Sequence, residues 1–348
     1  MSKSQKQLFN LPQRDLDEIL RTAAPDLTAL RGKKLFLTGG TGFFGKWLLA
    51  ALLRANAEMN LGLELTVLSR KPAAFEDKHR EIQDTPGLIF LRGNIAHFAA
   101  ESRRFDFIIH GATDTTAFTN EADERDRSRT IVQGTQNVLD LAHRNNARLL
   151  NISSGAVYGA AAGKSEGASE NDYDDACPAT PYGLAKREAE ALCRESHADF
   201  VTARAFAFLG PLLPLDAHFA AGNFLRDALR GGPIQVRGDG TALRSYLHPA
   251  DLVAWLLRLL VRGTRGRAFN VGSDEAVSTA ELARLIAAAV EPHAEVIIQS
   301  AHPQGPQNIY LPQITRARAE LQLDVTIPLR DAITRTLEFF SSTPPPPR

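Results

Sequence analysis

The chain has 348 residues, a formal net charge of zero and an ordinary globular composition, enough for one large α/β unit or a nucleotide domain with a smaller lobe. Balanced charge argues against a broad surface for nucleic acid or acidic lipid, though not against a local basic pocket for a diphosphate. Its two cysteines, Cys177 and Cys193, are too few for a disulfide-stapled scaffold and lack metal-ligand spacing, so no metal is expected.

Met1 to Leu20 is polar from the start and lacks the apolar core of a signal peptide. The longest apolar region, around Phe43 to Leu53, is broken by Gly45 and Lys46 and is too short to span a bilayer. No membrane partner is expected, and a cytoplasmic location is the default. Residues 1–32 read as an appendage with one amphipathic helix, since Leu16, Ile19, Leu20 and Ala23 recur at helical spacing. Simple surface packing is its expected role, ahead of an arm or an oligomer contact.

From Lys33 strands alternate with helices. Leu35–Leu37, Leu63–Leu68, Leu88–Leu91, Phe105–Ile109, Arg148–Ile152 and Phe200–Ala205 read as strands, with helices over Lys46–Ala55, Asp123–His143 and Tyr182–Ser196. This rhythm predicts an α/β fold, a doubly wound parallel sheet covered on both faces. After Gly210-Pro211 the rhythm loosens into helices near Asn223–Leu229, Ala250–Leu260 and Thr279–Ala289, read as a smaller C-terminal lobe. The expected division is a helical extension at 1–32, a nucleotide domain at 33–210, a mainly substrate-binding lobe at 211–340 and a disordered tail at 341–348, where Pro344–Pro347 cannot continue a helix.

The turn after the first strand carries Gly39-x-x-Gly42-x-x-Gly45. Glycine permits the tight turn and lets the backbone approach a pyrophosphate, and the helix start offers free N–H groups and a positive dipole end. A lone glycine triplet is weak, but this one follows a strand and opens an apolar helix, so a dinucleotide is expected, with Phe43 and Phe44 in its cradle. The second strand ends in Ser69-Arg70-Lys71, with no carboxylate to accept a bond from a ribose 2′-hydroxyl. Ser69 and Arg70 suit a 2′-phosphate instead, so NADP(H) is favoured over NAD(H). Asn94 and Ile95, after the third strand, are expected at the adenine, and Ala112, after the fourth, along the cofactor. His110 alone reads as structural.

Tyr182 and Lys186 lie four residues apart, on one side of a helix that Thr180-Pro181 starts well, and Ser153-Ser154 ends the fifth strand. Phenol is a poor base near neutrality, with a reference pKa of about 10. A nearby ammonium, the helix start and an oxidised nicotinamide are expected to lower that value. Tyr182 then exchanges a proton with a sugar hydroxyl, Lys186 also holds the nicotinamide ribose, and Ser154 orients the reacting oxygen.

With these residues in hand, the chain resembles the extended short-chain dehydrogenase/reductases of the nucleotide-sugar epimerase/dehydratase group, over roughly residues 33–340. The carriers are Thr38 through Gly45, Ser153-Ser154-Gly155-Ala156-Val157-Tyr158-Gly159, Pro181 through Lys186, Arg204 through Pro211, and Arg244 through Leu252. The resemblance implies a seven-stranded Rossmann sheet, a C-terminal sugar-nucleotide lobe and a site in the cleft between them. It marks Ser154, not Ser153, as the catalytic serine, and Asn223 and Arg244 as contacts to the substrate diphosphate. It also implies a homodimer through the helices at 123–143 and 182–196, and a nucleoside-diphosphate sugar as substrate.

Departures narrow the reading. Resembling 4,6-dehydratases carry Asp-Glu directly after the catalytic hydroxyl residue, where this chain has Gly155 and Ala156. The usual Asn before Val-x-Gly-Thr is Ile131, that expected three places after Arg204 is Ala207, and a late diphosphate-binding Arg is missing around Gln307-Asn308. Asp114, Thr115 and Thr116 stand as replacement substrate contacts, or equally as a polar loop cap. The leading expectation is a 4-keto sugar reductase. A 4-epimerase is the alternative, ahead of a 4,6-dehydratase or a non-catalytic dinucleotide sensor.

Overall fold

The computed structural model describes residues 7–100, 103–113, 121–217, 219–300 and 308–342. The expected tail lies almost wholly outside them.

In chain order the elements are α1 (Gln13–Thr28), β1 (Lys34–Thr38), α2 (Phe43–Glu58), β2 (Glu64–Ser69), α3 (Pro72–Lys78), β3 (Leu88–Arg92), β4 (Phe107–His110), α4 (Glu121–Asn145) and β5 (Arg148–Ser154). There follow α5 (Pro181–Glu195), β6 (Phe200–Ala205), α6 (Ala220–Leu229), β7 (Ile234–Val236), β8 (Leu243–Arg244), α7 (Pro249–Arg262), β9 (Ala268–Val271), β10 (Val277–Ser278), α8 (Thr279–Ala288), β11 (Val296–Ile298), β12 (Ile309–Tyr310), α9 (Thr315–Leu321) and α10 (Leu329–Ser342).

Among the described residues seven strands form one Rossmann-like sheet in the order β3-β2-β1-β4-β5-β6-β9, every pair parallel. The strands are short and almost wholly buried, as a sheet covered on both faces demands. One face is covered by α2 and α7, with α1 outside them, and the other by α4 and α5. The strand order reverses between β1 and β4, which opens a crevice beyond their C-terminal ends.

Residues beyond 210 contribute to this sheet as well as to smaller ones. β9 supplies the seventh strand and α7 packs on β5 and β6. β10, β8 and β12 form a three-stranded sheet in which Tyr310 pairs with Arg244, and β11 pairs with β7. Among the described residues no helix is long and apolar enough to cross a membrane.

The N-terminal helix departs from the expected surface packing. Leu16, Ile19, Ala23, Leu27 and Leu30 are fully buried in the main core, although Leu20 is only half-buried. Two carboxylates go in with them. Asp26 is held by Arg258 at 2.8 Å and Arg262 at 2.6 Å from α7, and Asp15 by Arg335 at 2.7 Å from α10. Burial raises the pKa of Asp15, and Arg335 opposes that rise. α1 is therefore part of the core, fastened to α7 and α10 by charge pairs.

Candidate active site

The glycine turn sits where the crevice opens. Gly39 has φ +76°, and a Cβ there would lie 2.6 Å from the backbone of Gly111. A Cβ on Gly45 would lie 2.1 Å from the Gly39 carbonyl, so only glycine lets α2 begin against the turn. Gly42 caps α2 without any side-chain hydrogen bond, which leaves the helix start open, and Phe43 and Phe44 form its first turn.

Thr38 ties β1 to β4. Its Oγ1 accepts from the amides of Gly111 at 3.2 Å and Ala112 at 3.1 Å and lies 2.9 Å from His110 Nδ1. His110 Nε2 is 3.3 Å from Thr135 Oγ1. Burial pushes the imidazole pKa down to about 3, with Lys186 adding to the shift. His110 is thus a neutral bridge between β1, β4 and α4, as its structural reading requires.

The other residues expected at a cofactor follow β2 and β3. Ser69 is buried, with Oγ accepting from the Lys71 amide at 3.3 Å, while Arg70 beside it is exposed. Asn94 is exposed and its Oδ1 accepts from the Ala96 amide at 3.1 Å. Ile95 is buried against Gly134 of α4, where a Cβ would meet it at 2.8 Å.

Strand alternation separates the two serines of β5. Ser153 Oγ donates to Glu190 Oε1 at 2.6 Å on α5. Ser154, one residue on, accepts from the Ala156 amide at 3.1 Å, and its hydroxyl lies close enough to Tyr182 and Tyr310 to favour the charged form of both phenols. α5 starts as its sequence requires, with Pro181 in the first turn and Thr180 Oγ1 accepting from the Gly183 amide at 3.1 Å. Lys186, one turn after Tyr182, donates to Thr113 Oγ1 at 3.0 Å and to the Ile152 carbonyl at 2.9 Å, which joins α5 to the ends of β4 and β5.

The electrostatics qualify one expectation. Among the chain's own residues burial dominates at Tyr182 and raises the phenol pKa, while the Ser154 hydroxyl and the charge of Arg127 pull it down. Burial likewise pushes Lys186 down to about 8 against the opposing charge of Glu190. The expected lowering drew on the ammonium, the helix start and an oxidised nicotinamide together; the chain's own side chains supply part of it, through Ser154 and Arg127, against the larger effect of burial.

Three further residues, Arg127, Tyr310 and Thr113, stand beside these side chains. The Arg127 guanidinium carbon lies 4.9 Å from the centre of the Tyr182 ring. Tyr310 of β12 packs at a tilt of 39° against Phe206, with ring centres 4.8 Å apart, and a Cβ on Gly155 would lie 2.7 Å from its hydroxyl. Thr113 receives the lysine. Behind them, Glu190 and Arg204 form a buried pair at 2.7 Å; Arg204 also donates to Tyr158 Oη at 3.0 Å, and Tyr158 donates to Asn270 of β9 at 2.7 Å. That network fixes α5, β6 and β9 to one another. Glu190 falls one turn after Lys186, so the helical spacing was the signal that could have found it.

The expected substrate residues are scattered. Arg244 reaches the site's edge, 5.9 Å from the Tyr310 ring centre, and donates to the Asn308 carbonyl at 2.9 Å. Asn223 sits on α6 with Oδ1 accepting from Arg226 at 2.8 Å. Asp114, Thr115 and Thr116 lie outside the described residues.

Residues 35–272 match the model of the NAD dependent epimerase/dehydratase family. Among curated proteins the chain is 26% identical over 314 residues to UDP-glucuronic acid decarboxylase 6 of Arabidopsis thaliana, covering 88% of each. It is also 26% identical over 322 residues to a dTDP-glucose 4,6-dehydratase of Streptomyces niveus, covering 88% of this chain and 92% of that one. Among solved structures it matches the epimerase Mth375 of Methanothermobacter thermautotrophicus with a TM-score of 0.78 and 25% identity, over 93% of this chain and 96% of that one.

Proposed function

The chain belongs to the NAD dependent epimerase/dehydratase family, and from that premise we propose that it moves a hydride at C4 of a nucleoside-diphosphate sugar, as a 4-keto sugar reductase. The observation that carries this reading is the meeting of Ser154, Tyr182 and Lys186 beyond β5, joined through Thr113 to the strand beside the glycine turn.

The turn fits a dinucleotide: Gly39 and Gly45 leave no room for side chains, and the start of α2 has no side-chain cap. Gly39, Gly42, Phe43, Phe44 and Gly45 would hold the pyrophosphate end, Ser69, Arg70, Asn94 and Ile95 the adenosine end, and Ala112, Tyr182 and Lys186 the nicotinamide end. When bound, the dinucleotide supplies or accepts the hydride. Tyr182 donates the proton to the sugar oxygen in reduction, or takes it in the reverse direction. Ser154 holds that oxygen, and Lys186 keeps the phenol in place from one turn away. Arg244, at the site's edge, and Asn223 on α6 are the substrate-diphosphate contacts of this reading, with Thr115 as a further substrate contact. The exposed Arg70 and the lack of a carboxylate at the end of β2 favour NADP(H).

Reduction is preferred to dehydration on steric grounds. A carboxylate at position 155 would collide with the Tyr310 hydroxyl at 2.7 Å and the Phe206 ring at 2.8 Å, so the space for an eliminating acid is filled. The likeness to the Methanothermobacter epimerase keeps a 4-epimerase as the second reading. A homodimer through α4 and α5 belongs to the proposal too; Leu184 on α5 is 50% exposed, unusual for a large apolar side chain here.

The test is a panel of 4-keto-6-deoxy nucleotide sugars with NADPH and NADH. Steady NADPH consumption with at least one of them, lost in Tyr182→Phe, is the expected result. No consumption across the panel, with tightly held dinucleotide released on denaturation and C4 epimers formed, would replace the reductase by the epimerase.

A further inference from the structure

We propose that Asn308 is a positioning residue for the substrate diphosphate: it holds the Arg244 guanidinium by one edge and leaves another edge open to phosphate oxygens. The inference rests on the diphosphate contact proposed for Arg244 and goes beyond it, to the residue that fixes that contact.

Strand pairing brings the two residues together. β8 is the middle strand of its small sheet, with Val277 of β10 opposite Arg244 on one side and Tyr310 of β12 on the other. Asn308 stands immediately before β12, and its carbonyl accepts from the Leu243 amide at 2.9 Å. The same carbonyl accepts from Arg244 Nη1 at 2.9 Å, and Asn308 Oδ1 accepts from Nη2 at 3.2 Å. Nη1 also donates to the Leu243 carbonyl at 2.7 Å. A guanidinium carries its N–H donors in a rigid planar fork, two on each Nη and one on Nε. Both donors of Nη1 and one of Nη2 are therefore committed. Asn308 grips the edge between Nη1 and Nη2, so the remaining donors share the edge between Nη2 and Nε. That spacing binds a phosphate through two parallel bonds.

Every acceptor on Arg244 is neutral, and among the described residues it forms no ion pair. Its phenol neighbours carry no anion either: burial pushes Tyr246 up to about 12 and raises Tyr310 as well. From His293 to Thr315 the sequence has no lysine or arginine, so the approach to β12 adds no second permanent cation. Carbonyl oxygens satisfy the donors without cancelling the charge, and a half-buried guanidinium held this way keeps its full attraction for an anion. An amide at position 308 thus steers the arginine, where a carboxylate would neutralise it.

The experiment measures binding by calorimetry to the full-length chain saturated with NADP⁺. The probes are uridine diphosphate and thymidine diphosphate, with uridine and thymidine for contrast. Asn308 is exposed, so its side chain can be changed without opening the core, and its carbonyl persists in every variant. Asn308→Ala is expected to weaken both diphosphates about fivefold, the worth of one hydrogen bond. Asn308→Asp keeps the acceptor but cancels the cation, and is expected to weaken them by more than about tenfold. Nucleoside binding should be the same in both. With Arg244→Gln already in place, Asn308→Ala should cost nothing further, the mark of a residue that acts through another. Unchanged diphosphate affinity in both Asn308 variants, or an equal loss from Asn308→Ala with and without Arg244, overturns the inference and leaves the reading of Arg244 standing. Full affinity in Arg244→Gln, or a parent chain that binds neither diphosphate, overturns both.

Discussion

Replacing Lys186 by methionine tests how much stability the site gives up for a buried ammonium. In the folded chain the lysine pKa is about 8, against 10.5 for an unperturbed lysine. The unfolded chain therefore binds the proton more tightly. Below about pH 8 both states carry it and the full penalty of burial is present; the penalty fades as pH rises from about 8 to about 10.5. At 1.36 kcal/mol per pH unit its size is about 3 kcal/mol. Methionine removes that penalty and fills a similar volume, but it also removes the bonds to Thr113 Oγ1 and the Ile152 carbonyl, worth about 1 kcal/mol each. Lys186→Met should thus be about 1 kcal/mol more stable than the parent at about pH 7, and about 2 kcal/mol less stable at about pH 10.5. Urea unfolding of both proteins across this range measures the difference. A stability difference that stays constant with pH would refute the reasoning, because it would mean the ammonium pays nothing for burial.

Other perturbations separate structural from chemical roles. Arg204→Met strands Glu190 without its partner, and removal of one member of a buried pair costs about 3–5 kcal/mol; the fall in the urea midpoint should be accompanied by loss of the native near-ultraviolet signal. Ile19→Ala in α1 should cost about 2–5 kcal/mol by thermal or urea unfolding, whereas a surface-packed helix would lose far less. Tyr310→Phe keeps the packing against Phe206 but removes the hydroxyl beside Ser154; stability should hold while kcat/KM drops about tenfold, the worth of one hydrogen bond in the transition state.

Much of the fold was legible because its rules are local. The glycine turn, the first six strands and the Thr180-Pro181 start of α5 each announce themselves within a few residues. β9 was not legible: four residues, three of them apolar, carry no period after a loosened rhythm, and their place beside β6 depends on packing across the sheet. For α1 the apolar face was legible, but the burial of Asp15 and Asp26 was not. Their cations, Arg258, Arg262 and Arg335, lie far along the chain, and only the tertiary fold joins them. Ser154, Tyr182 and Lys186 could be picked out by spacing. Tyr310 could not, since a lone tyrosine on a two-residue strand has no pattern; nor could Arg127, which read as one more charge on a polar helix. The lowered tyrosine pKa was expected from a nearby ammonium, the helix start and an oxidised nicotinamide together; from the chain's own residues, burial works the other way.

The central claim is that this chain exchanges a hydride with C4 of a nucleotide sugar. It is tested most directly by incubating the protein and oxidised dinucleotide with nucleotide sugars deuterated at C4, quenching, and weighing the dinucleotide by mass spectrometry. The account predicts deuterium in the nicotinamide with at least one sugar, and none in Tyr182→Phe. A folded, dinucleotide-loaded protein that leaves every C4 deuterium on its sugar would contradict it.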